Sequence, residues 1–593
     1  MQELRYPFDE KKIIRKRRQL RSCLLSQRDS FTPLRIAVFG SSSTELLEEL
    51  LELFLLNEGI APTFYSGTFG KYFEDVVFDN PELERFHPEL IYFHTGTVAI
   101  RDWPNCTMTE QEVDILLQTQ MDYFCKLWTC AGKYNCLILQ NNFELPSIRL
   151  LGNMDGTTYY GRTRYIQKLN QLFSECSQAY ENICIHDICY LSADYGLQRW
   201  YNPARWYHAK ICPDLEASVY LSYSLARTIA SQQFGNKKMI VTDLDNTLWG
   251  GTVAEAGTEG LNMAPEDSVG EAHLDFQQWL LEMKRVGIIL GVASKNDEKD
   301  ALAGLAAPEC RLRTDDFAFI CANWEPKGEN IQKMCEEIRV SPDATVFIDD
   351  NESERHLVRS KVPGIQVPSF SGIEELLSIL SRALYFNITT VTNEDRLRTY
   401  SYRSRYNSEN QNYEQYLQEL DMAMEICEIR DTGIDRMLQL LNKTNRFNVT
   451  GKKYTRADIG QMLQMPEDYV LIGAHLKDLV ADHGMISYML CRLVEQGLDL
   501  SQWVTSCRVF QRGVEHAMMD HLVSFCRQKN RKHIYCTYIQ TEKNYMIKEL
   551  LPIYGFREIE AESPLSRRYI LSVDDYRAQP HYIRISGSQH REE

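Results

Sequence analysis

At 593 residues, with 44 % hydrophobic and 25 % charged residues, the chain has an ordinary globular composition and is too long for one core. A formal net charge of −17 excludes general nucleic-acid binding, which needs excess lysine and arginine to displace counterions. No apolar run reaches the ~18 residues of a membrane span, and 17 cysteines without a C-x-x-C pair read as free thiols of a reduced, cytoplasmic protein.

Met1 to Phe8 is polar, and no apolar segment follows the basic residues, so no secretory leader is expected. The basic stretch Lys11 to Arg21 predicts a helical arm. It is expected to pack as a solvated first helix on its own protein, with an acidic partner or an anionic surface as the alternative. Leu34 to Phe39 reads as a strand that turns through Gly40-Ser41-Ser42-Ser43-Thr44 into an amphipathic helix, Glu45 to Leu56. Further strands at Leu90–Phe93, Cys136–Gln140 and Ile183–His186, separated by helical stretches, predict a parallel, helix-covered sheet up to about Phe234.

The stretch Met239 to Gly251 carries the strongest chemical signal. A buried strand, Met239 to Val241, stops at Asp243 and Asp245, whose i, i+2 spacing sends both carboxylates out on one face at the strand's C-terminal end. Ligands of open α/β sheets bind at that end. Two adjacent carboxylates are costly unless a cation or phosphoryl group is present. The Thr247 hydroxyl can donate to a phosphate, and Gly250-Gly251 turns the chain away. A second strand ends in Ser294-Lys295-Asn296, a lysine follows the turn Asn323-Trp324-Glu325-Pro326 as Lys327, and a third strand ends in Asp349-Asp350. Neither the roughly 35 residues after Gly251 nor the roughly 30 after Asn296 reach the ~50 residues of a separate domain. The site is therefore expected to be open, which suits a substrate presented on a macromolecule.

Beyond a helical connector from Asn393 to Met422, a helix through Met437–Leu441 leads into the polar segment Asn442 to Asn448. Strands are predicted at Tyr469–His475, Gly484–Arg492, Val504–Phe510 and His533–Tyr538, with a turn at Gln511-Arg512-Gly513 and a helix from Val514 to Lys529. The segment after Arg577 is expected to be disordered.

The series Asp243-x-Asp245-x-Thr247, Ser294, Lys327, Asp349-Asp350 resembles the haloacid dehalogenase-like (HAD) phosphotransferase superfamily. The first domain resembles an SGNH-hydrolase fold, with Ser42 at its nucleophile position and His208 at its base position. Arg205 stands where that family has its aspartate, and Gly96-Thr97-Val98-Ala99 replaces its Gly-x-Asn-Asp block. A base without an orienting carboxylate is poorly arranged for acyl chemistry, and Ser42 also suits a helix N-cap. The last domain resembles the GNAT acetyltransferases through Asn544 and Tyr554-Gly555-Phe556, but Phe510 and Glu515 interrupt the loop that would hold a pyrophosphate. Together the three domains resemble the FkbH-like family of HAD subfamily IIIC, most specifically at Asp243–Gly251 and Phe347–Arg355.

The resemblance implies an α/β chain of three domains. These are an SGNH-like parallel sheet with its basic arm (1–234), a capless Rossmann-like HAD phosphatase domain (235–386), and, after a helical connector (387–422), a GNAT-like α+β domain (423–575). A flexible tail (576–593) follows. It implies Asp243 as nucleophile and Asp245 as acid and base, with Ser294, Lys327 and Thr247 on the phosphoryl oxygens. Mg²⁺ is expected on Asp243, Asp349, Asp350 and the Asp245 carbonyl. The family's activity is to dephosphorylate a phosphoglyceryl group and load glyceryl on an acyl carrier protein for polyketide or surface-glycan synthesis. Many glyceryl-loading members have a cysteine between the two motif aspartates, where this chain has Leu244. A carrier-docking scaffold with decayed centres, and an acyltransferase using His483, Asp482 or Arg512, are the alternatives.

Overall fold

A computed structural model describes residues 1–26, 31–78, 80–180, 182–388, 417–418, 420–429, 434–443, 447–479, 482–495, 497–506, 509, 512–541, 544–561, 563 and 565–587. The chain forms two compact units, Met1–Gln232 and Gln233–Glu593.

The first unit is built on five parallel strands: β1 (Thr32–Gly40), β2 (Ile60–Ser66), β3 (Leu90–His94), β4 (Leu137–Asn141) and β5 (Ile183–His186). Their order is β2-β1-β3-β4-β5. All five residues of β3 are buried, as expected of a central strand covered by helices on both faces. The sequence pattern missed β2, because only its first three residues are buried and Pro62 interrupts it. As an edge strand, it tolerates the missing N–H. Between β1 and β3 the winding reverses, which opens a crevice at the strand C-termini.

The basic arm is the helix Glu10–Leu25, capped by the Asp9 side chain, which accepts from the Lys12 N–H. It packs on its own protein. Arg17 and Arg21 pair with Glu49 and Glu52 of the helix Glu45–Asn57, at 2.8 and 2.5 Å. Such surface pairs contribute about 0–1 kcal/mol each. The buried Ile13, Leu20 and Leu24 contribute more, at about 1.5–3 kcal/mol each.

In the second unit, β6 (Met239–Thr242), β7 (Ile289–Ser294), β8 (Phe319–Ala322) and β9 (Thr345–Ile348) form a parallel sheet in the order β8-β7-β6-β9. The four-residue β8 is too short to have stood out in the sequence. The crossover helix Ser268–Arg285 joins β6 to β7 and the helix Glu298–Ala306 joins β7 to β8. Among the described residues no cap domain is inserted in either connection. Lys327, which follows the turn at Asn323–Pro326, is the buried first residue of the helix Lys327–Glu337.

The C-terminal residues form an eight-stranded sheet from β10 (Ala423–Glu428), β11 (Tyr469–Lys477), β12 (Asp482–Val494), β13 (Gly497–Thr505), β14 (His533–Ile539), β15 (Arg557–Ala561), β16 (Ser566–Ser572) and β17 (Arg584–Gly587). The order is β15-β16-β14-β13-β12-β11-β10-β17. Neighbours are antiparallel except β10 with β17 and β13 with β14. This is the mixed α+β arrangement expected of a GNAT-like domain. The helix expected around Met437 runs from Ile434 to Lys443.

Two expectations are corrected. The strand placed at Val504–Phe510 is β13, ending at Thr505, because its inward residues Leu498, Leu500 and Trp503 pair with β12 from Gly497 onward. The tail is not free. Ile583 is buried, Arg584 N–H donates to Met422 O, and β17 pairs with β10 through residue 587. Residues 393–416, which make up most of the expected connector, and residues 588–593 lie outside the described residues. Deleting residues 577–593 should raise amide hydrogen exchange in β10 at least about tenfold while β6 to β9 stay unchanged, because a buried isoleucine and a strand pairing are lost. Unchanged β10 exchange by mass spectrometry would contradict the pairing.

Candidate phosphoryl-transfer site

Four loops converge at the C-terminal end of the β6–β9 sheet. Asp243 N–H donates to Ile348 O, which ties the end of β6 to the end of β9 and sets Asp243 beside Asp349. Lys327 Nζ lies 2.7 Å from both Asp243 Oδ2 and Asp349 Oδ2, and all three groups are buried. Asp350 Oδ1 accepts from Thr247 Oγ1 at 3.3 Å, and Asp350 N–H donates back to that hydroxyl at 3.0 Å. Arg355 Nη1 holds the turn by donating to the carbonyls of Asp349 and Asp350, each at 2.8 Å.

Asp243, Asp349 and Asp350 offer oxygens within 4.8 Å of one another. Burial, reinforced by the charge of Asp243, pushes the Asp349 carboxyl up to about 6 against the pull of Lys327. Asp350 is raised for the same two reasons. Burial would lower Lys327, but Asp243 and Asp349 outweigh it and hold the ammonium above its ordinary value. One ammonium therefore faces three carboxylates. Asp243 Oδ1 is buried and has no hydrogen-bond partner. An orphaned carboxylate oxygen in an all-oxygen cluster of residual negative charge fits a hard divalent cation.

Asp245 is separated from that cluster. Its Oδ1 accepts from Trp249 Nε1 at 2.9 Å and from Val253 N–H at 3.2 Å, and its Oδ2 accepts from Asn296 Nδ2 at 2.9 Å. Asn296 also donates to Ser294 Oγ at 3.2 Å. The side chain of Asp245 is thus committed to the loops after β6 and β7. The turn between the aspartates and Gly251 is held from the crossover helix by His273 against Thr247 O and by Gln277 Nε2 donating to Leu248 O.

The structure brings together Asp243, Thr247, Lys327, Asp349 and Asp350, with Asp245, Ser294 and Asn296 as a linked group beside them. Lys327 was expected to hold phosphoryl oxygens, and here it bridges two carboxylates. Asn296, Trp249 and Arg355 received no role from the sequence. Asn296 stands two residues beyond Ser294, the same i, i+2 spacing that exposed the aspartates, so that signal was available. Replacing Lys327 by methionine leaves Asp243 and Asp349 facing each other without a counter-charge. Breaking a buried pair in this way costs about 3–5 kcal/mol. Thermal unfolding in EDTA should show the loss, and a divalent cation should recover more stability in this variant than in the wild type. Equal stability in EDTA would contradict the bridging role.

In the first unit, Ser42 and His208 do not meet. Ser42 is buried and its Oγ donates to Cys212 O at 2.9 Å, whereas His208 is exposed on the helix Pro203–Ala209. The crevice between β1 and β3 retains a cavity of about 10 Å³ lined by Ser42, His94, Gly96, Glu144, Trp200 and Cys212, room for about one water. Its polar groups are paired internally. Glu144 accepts from Thr97 N–H and Oγ1, His94 Nε2 donates to Cys212 O, and His186 lies between Asn141 and Ser224.

Burial lowers both His94 and His186 to about 4 and raises Glu144. Between pH 4.5 and 6.5 the unfolded chain therefore binds two protons at these histidines that the folded chain does not. Burial raises Glu144 as well, which works in the opposite direction. The two histidines, lowered to about 4, therefore give the unit a stability that slopes downward as pH falls through this window. Hydrogen exchange in β3 and β4, corrected for its intrinsic pH dependence, should show that slope, and His186→Asn should reduce it. A flat profile would exclude these histidines as the cause.

In the C-terminal sheet, β13 and β14 pair only from Gly497 to Leu500 and then part. The opening is filled by the chain itself. Val449 N–H donates to Trp503 O, Thr505 N–H to Phe447 O, and Ile539 N–H to Val449 O, each at 3.1 Å. Asn544 pins this insert by donating to Asn448 O at 3.0 Å. Gly513, at φ +90°, begins the helix Val514–Gln528, and a β-carbon there would come within 2.8 Å of His581. Glu515 is buried in the first turn of that helix. Asp478, His483 and Arg512 form a buried ion cluster, and Asp482 lies outside it, paired with His475. These residues do not fit a coenzyme A thioester. The extended arm would meet the chain's own backbone, and the diphosphate would meet Glu515.

Residues 35–229 match the family described as FkbH, N-terminal domain. The N-terminal part of a Bacteroides fragilis protein, which contains a phosphatase domain and was crystallised with Mg, is similar in structure over 62 % of this chain and 97 % of its own, at 26 % identity and a TM-score of 0.57. Acetyltransferases from Thermus thermophilus (12 % identity, TM-score 0.20) and Staphylococcus aureus (10 %, 0.21) each align over 26 % of this chain and 99 % of their own. The strand order, rather than those low scores, defines the C-terminal fold. No curated protein matches the chain. The family match over residues 35–229 and the similarity to a phosphatase-domain protein over 62 % of this chain support an FkbH-like reading of the HAD phosphatase type.

Proposed function

We propose that the chain is a Mg²⁺-dependent phosphoryl hydrolase of HAD subfamily IIIC acting on a phosphorylated acyl group, such as phosphoglyceryl, destined for an acyl carrier protein. The observation that carries the phosphatase reading is the buried, partner-free Oδ1 of Asp243 within a carboxylate cluster that one lysine cannot neutralise. Asp243, Asp349 and Asp350 would hold Mg²⁺, together with the Asp245 carbonyl. The cation would supply charge neutralisation between a phosphate dianion and the Asp243 carboxylate. That repulsion is about 4 kcal/mol per unit-charge pair at 4 Å and an effective dielectric of 20.

Asp243 attacks phosphorus, forming a carboxylate–phosphorus bond as the bond to the leaving oxygen breaks. Asp245 gives its proton to that oxygen. It then takes one from the water whose attack breaks the aspartyl-phosphate, restoring both carboxyls and releasing phosphate. Ser294 and Asn296 stand where they can donate to phosphoryl oxygens. Lys327 keeps Asp243 and Asp349 aligned. With no cap among the described residues, the site can accept a phosphorylated group on a carrier. Leu244 is fully buried and offers no thiol, so an acyl transfer would proceed by direct attack of the carrier thiol or through another cysteine.

The specific alternative is a carrier-docking scaffold. It is favoured by the filled C-terminal cleft and by the one-water cavity at Ser42. Phosphate release from a phosphomonoester and from 1,3-bisphosphoglycerate, with Mg²⁺ or EDTA, separates the two. Release should require Mg²⁺ and fall at least about 10³-fold in Asp243→Asn, with unchanged circular dichroism. Intact mass of an added carrier protein reports glyceryl loading. Turnover retained in Asp243→Asn would remove the nucleophile assignment, and no release from the wild type would favour the scaffold.

A further inference from the structure

Trp249 lies four residues after Asp245 and takes no part in binding phosphate in the scheme above, yet it is wholly buried and its one polar atom is spent on Asp245. A buried indole N–H needs an acceptor, and the turn beginning at Asp245 supplies it. The ring sits in space that the helix Glu298–Ala306 leaves by carrying glycine at position 304. A β-carbon there would approach the indole to 2.7 Å. The six-membered edge is therefore fixed by the helix, and the nitrogen is fixed by what the edge allows.

The consequence falls on one oxygen of Asp245. Oδ1 accepts twice, from Trp249 and from Val253 N–H. Oδ2 accepts only from Asn296, on the side of Ser294. We infer that Trp249 is a positioning residue for the acid–base step: its indole N–H holds Asp245 Oδ1 so that Oδ2 is the oxygen that gives its proton to the leaving oxygen and later takes one from the attacking water. The inference rests on the phosphatase reading. It adds that one oxygen of Asp245 is selected and that the selector is a buried residue.

A positioning role differs from a packing role in which substrates suffer. Trp249→Phe keeps most of the ring and removes the donor. An alkyl phosphate such as glycerol phosphate leaves as a basic alkoxide and needs the proton, whereas p-nitrophenyl phosphate leaves as a stable phenolate and scarcely does. General acid–base catalysis contributes about 10²–10⁴-fold. Loss of orientation should therefore lower kcat/KM for glycerol phosphate by about 10–100-fold and for p-nitrophenyl phosphate by less than about 3-fold. Gly304→Ala, which keeps the indole but displaces it, should give the same split. Equal losses on both substrates, or none on either, would overturn the assignment. If the wild type hydrolyses neither substrate, the phosphatase reading itself falls, an outcome distinguishable from a wild type that turns over both and a variant that loses both equally.

Discussion

One ammonium among three carboxylates is the constraint around which the central domain is arranged. Lys327 is buried at the first turn of its helix, and its Nζ bridges the ends of β6 and β9 through Asp243 and Asp349. A lone carboxylate pair at that separation would not stay ionised. A fully neutralised one would have no use for a cation. The observed balance lies between these. The lysine offsets part of the acids' mutual repulsion, burial lifts Asp349 and Asp350, and Asp243 retains an oxygen with no partner.

That balance depends on parts remote from it. The pairing of β6 with β9 sets the spacing of the acids. Arg355 holds the Asp349–Asp350 turn by its carbonyls rather than its side chains. His273 and Gln277 hold the motif turn from the crossover helix in the same way. In each case a side chain binds backbone rather than a carboxylate.

The sequence was most legible where chemistry and periodicity coincide. Asp243, Thr247, Asp349 and Asp350 could be placed because each follows an apolar strand, and the strand end fixes direction. It was least legible where tertiary pairing decides. The edge strand β2 carries a proline, β8 has four residues, and β17 is recruited by the exposed edge of β10 rather than by its own pattern. Lys327 lies beside Asp243 and Asp349, a contact that spacing alone could not give, because spacing cannot tell whether an ammonium meets a neighbouring acid, a substrate or both. Ser42 and His208 show the same limit. Residue types at the right positions said nothing of Cys212 O, which takes the serine hydroxyl.

The three domains differ in how far their polar groups are already satisfied, and this locates the chemistry. Around the β1–β3 crevice, Ser42, His94, Glu144 and His186 all find partners within the fold, and the space left holds about one water. In the C-terminal sheet, the opening between β13 and β14 is closed by hydrogen bonds from the chain's own residues 447–449. Folding has used those groups, and a ligand would have to displace them at a cost of about 1–3 kcal/mol for each left unpaired. At the end of β6 the situation is reversed. Asp243 Oδ1 is buried, charged and unpaired, an expense that a stable fold keeps only where binding recovers it. Asp243 thus keeps an unpaired oxygen within a cluster of carboxylates at a strand end.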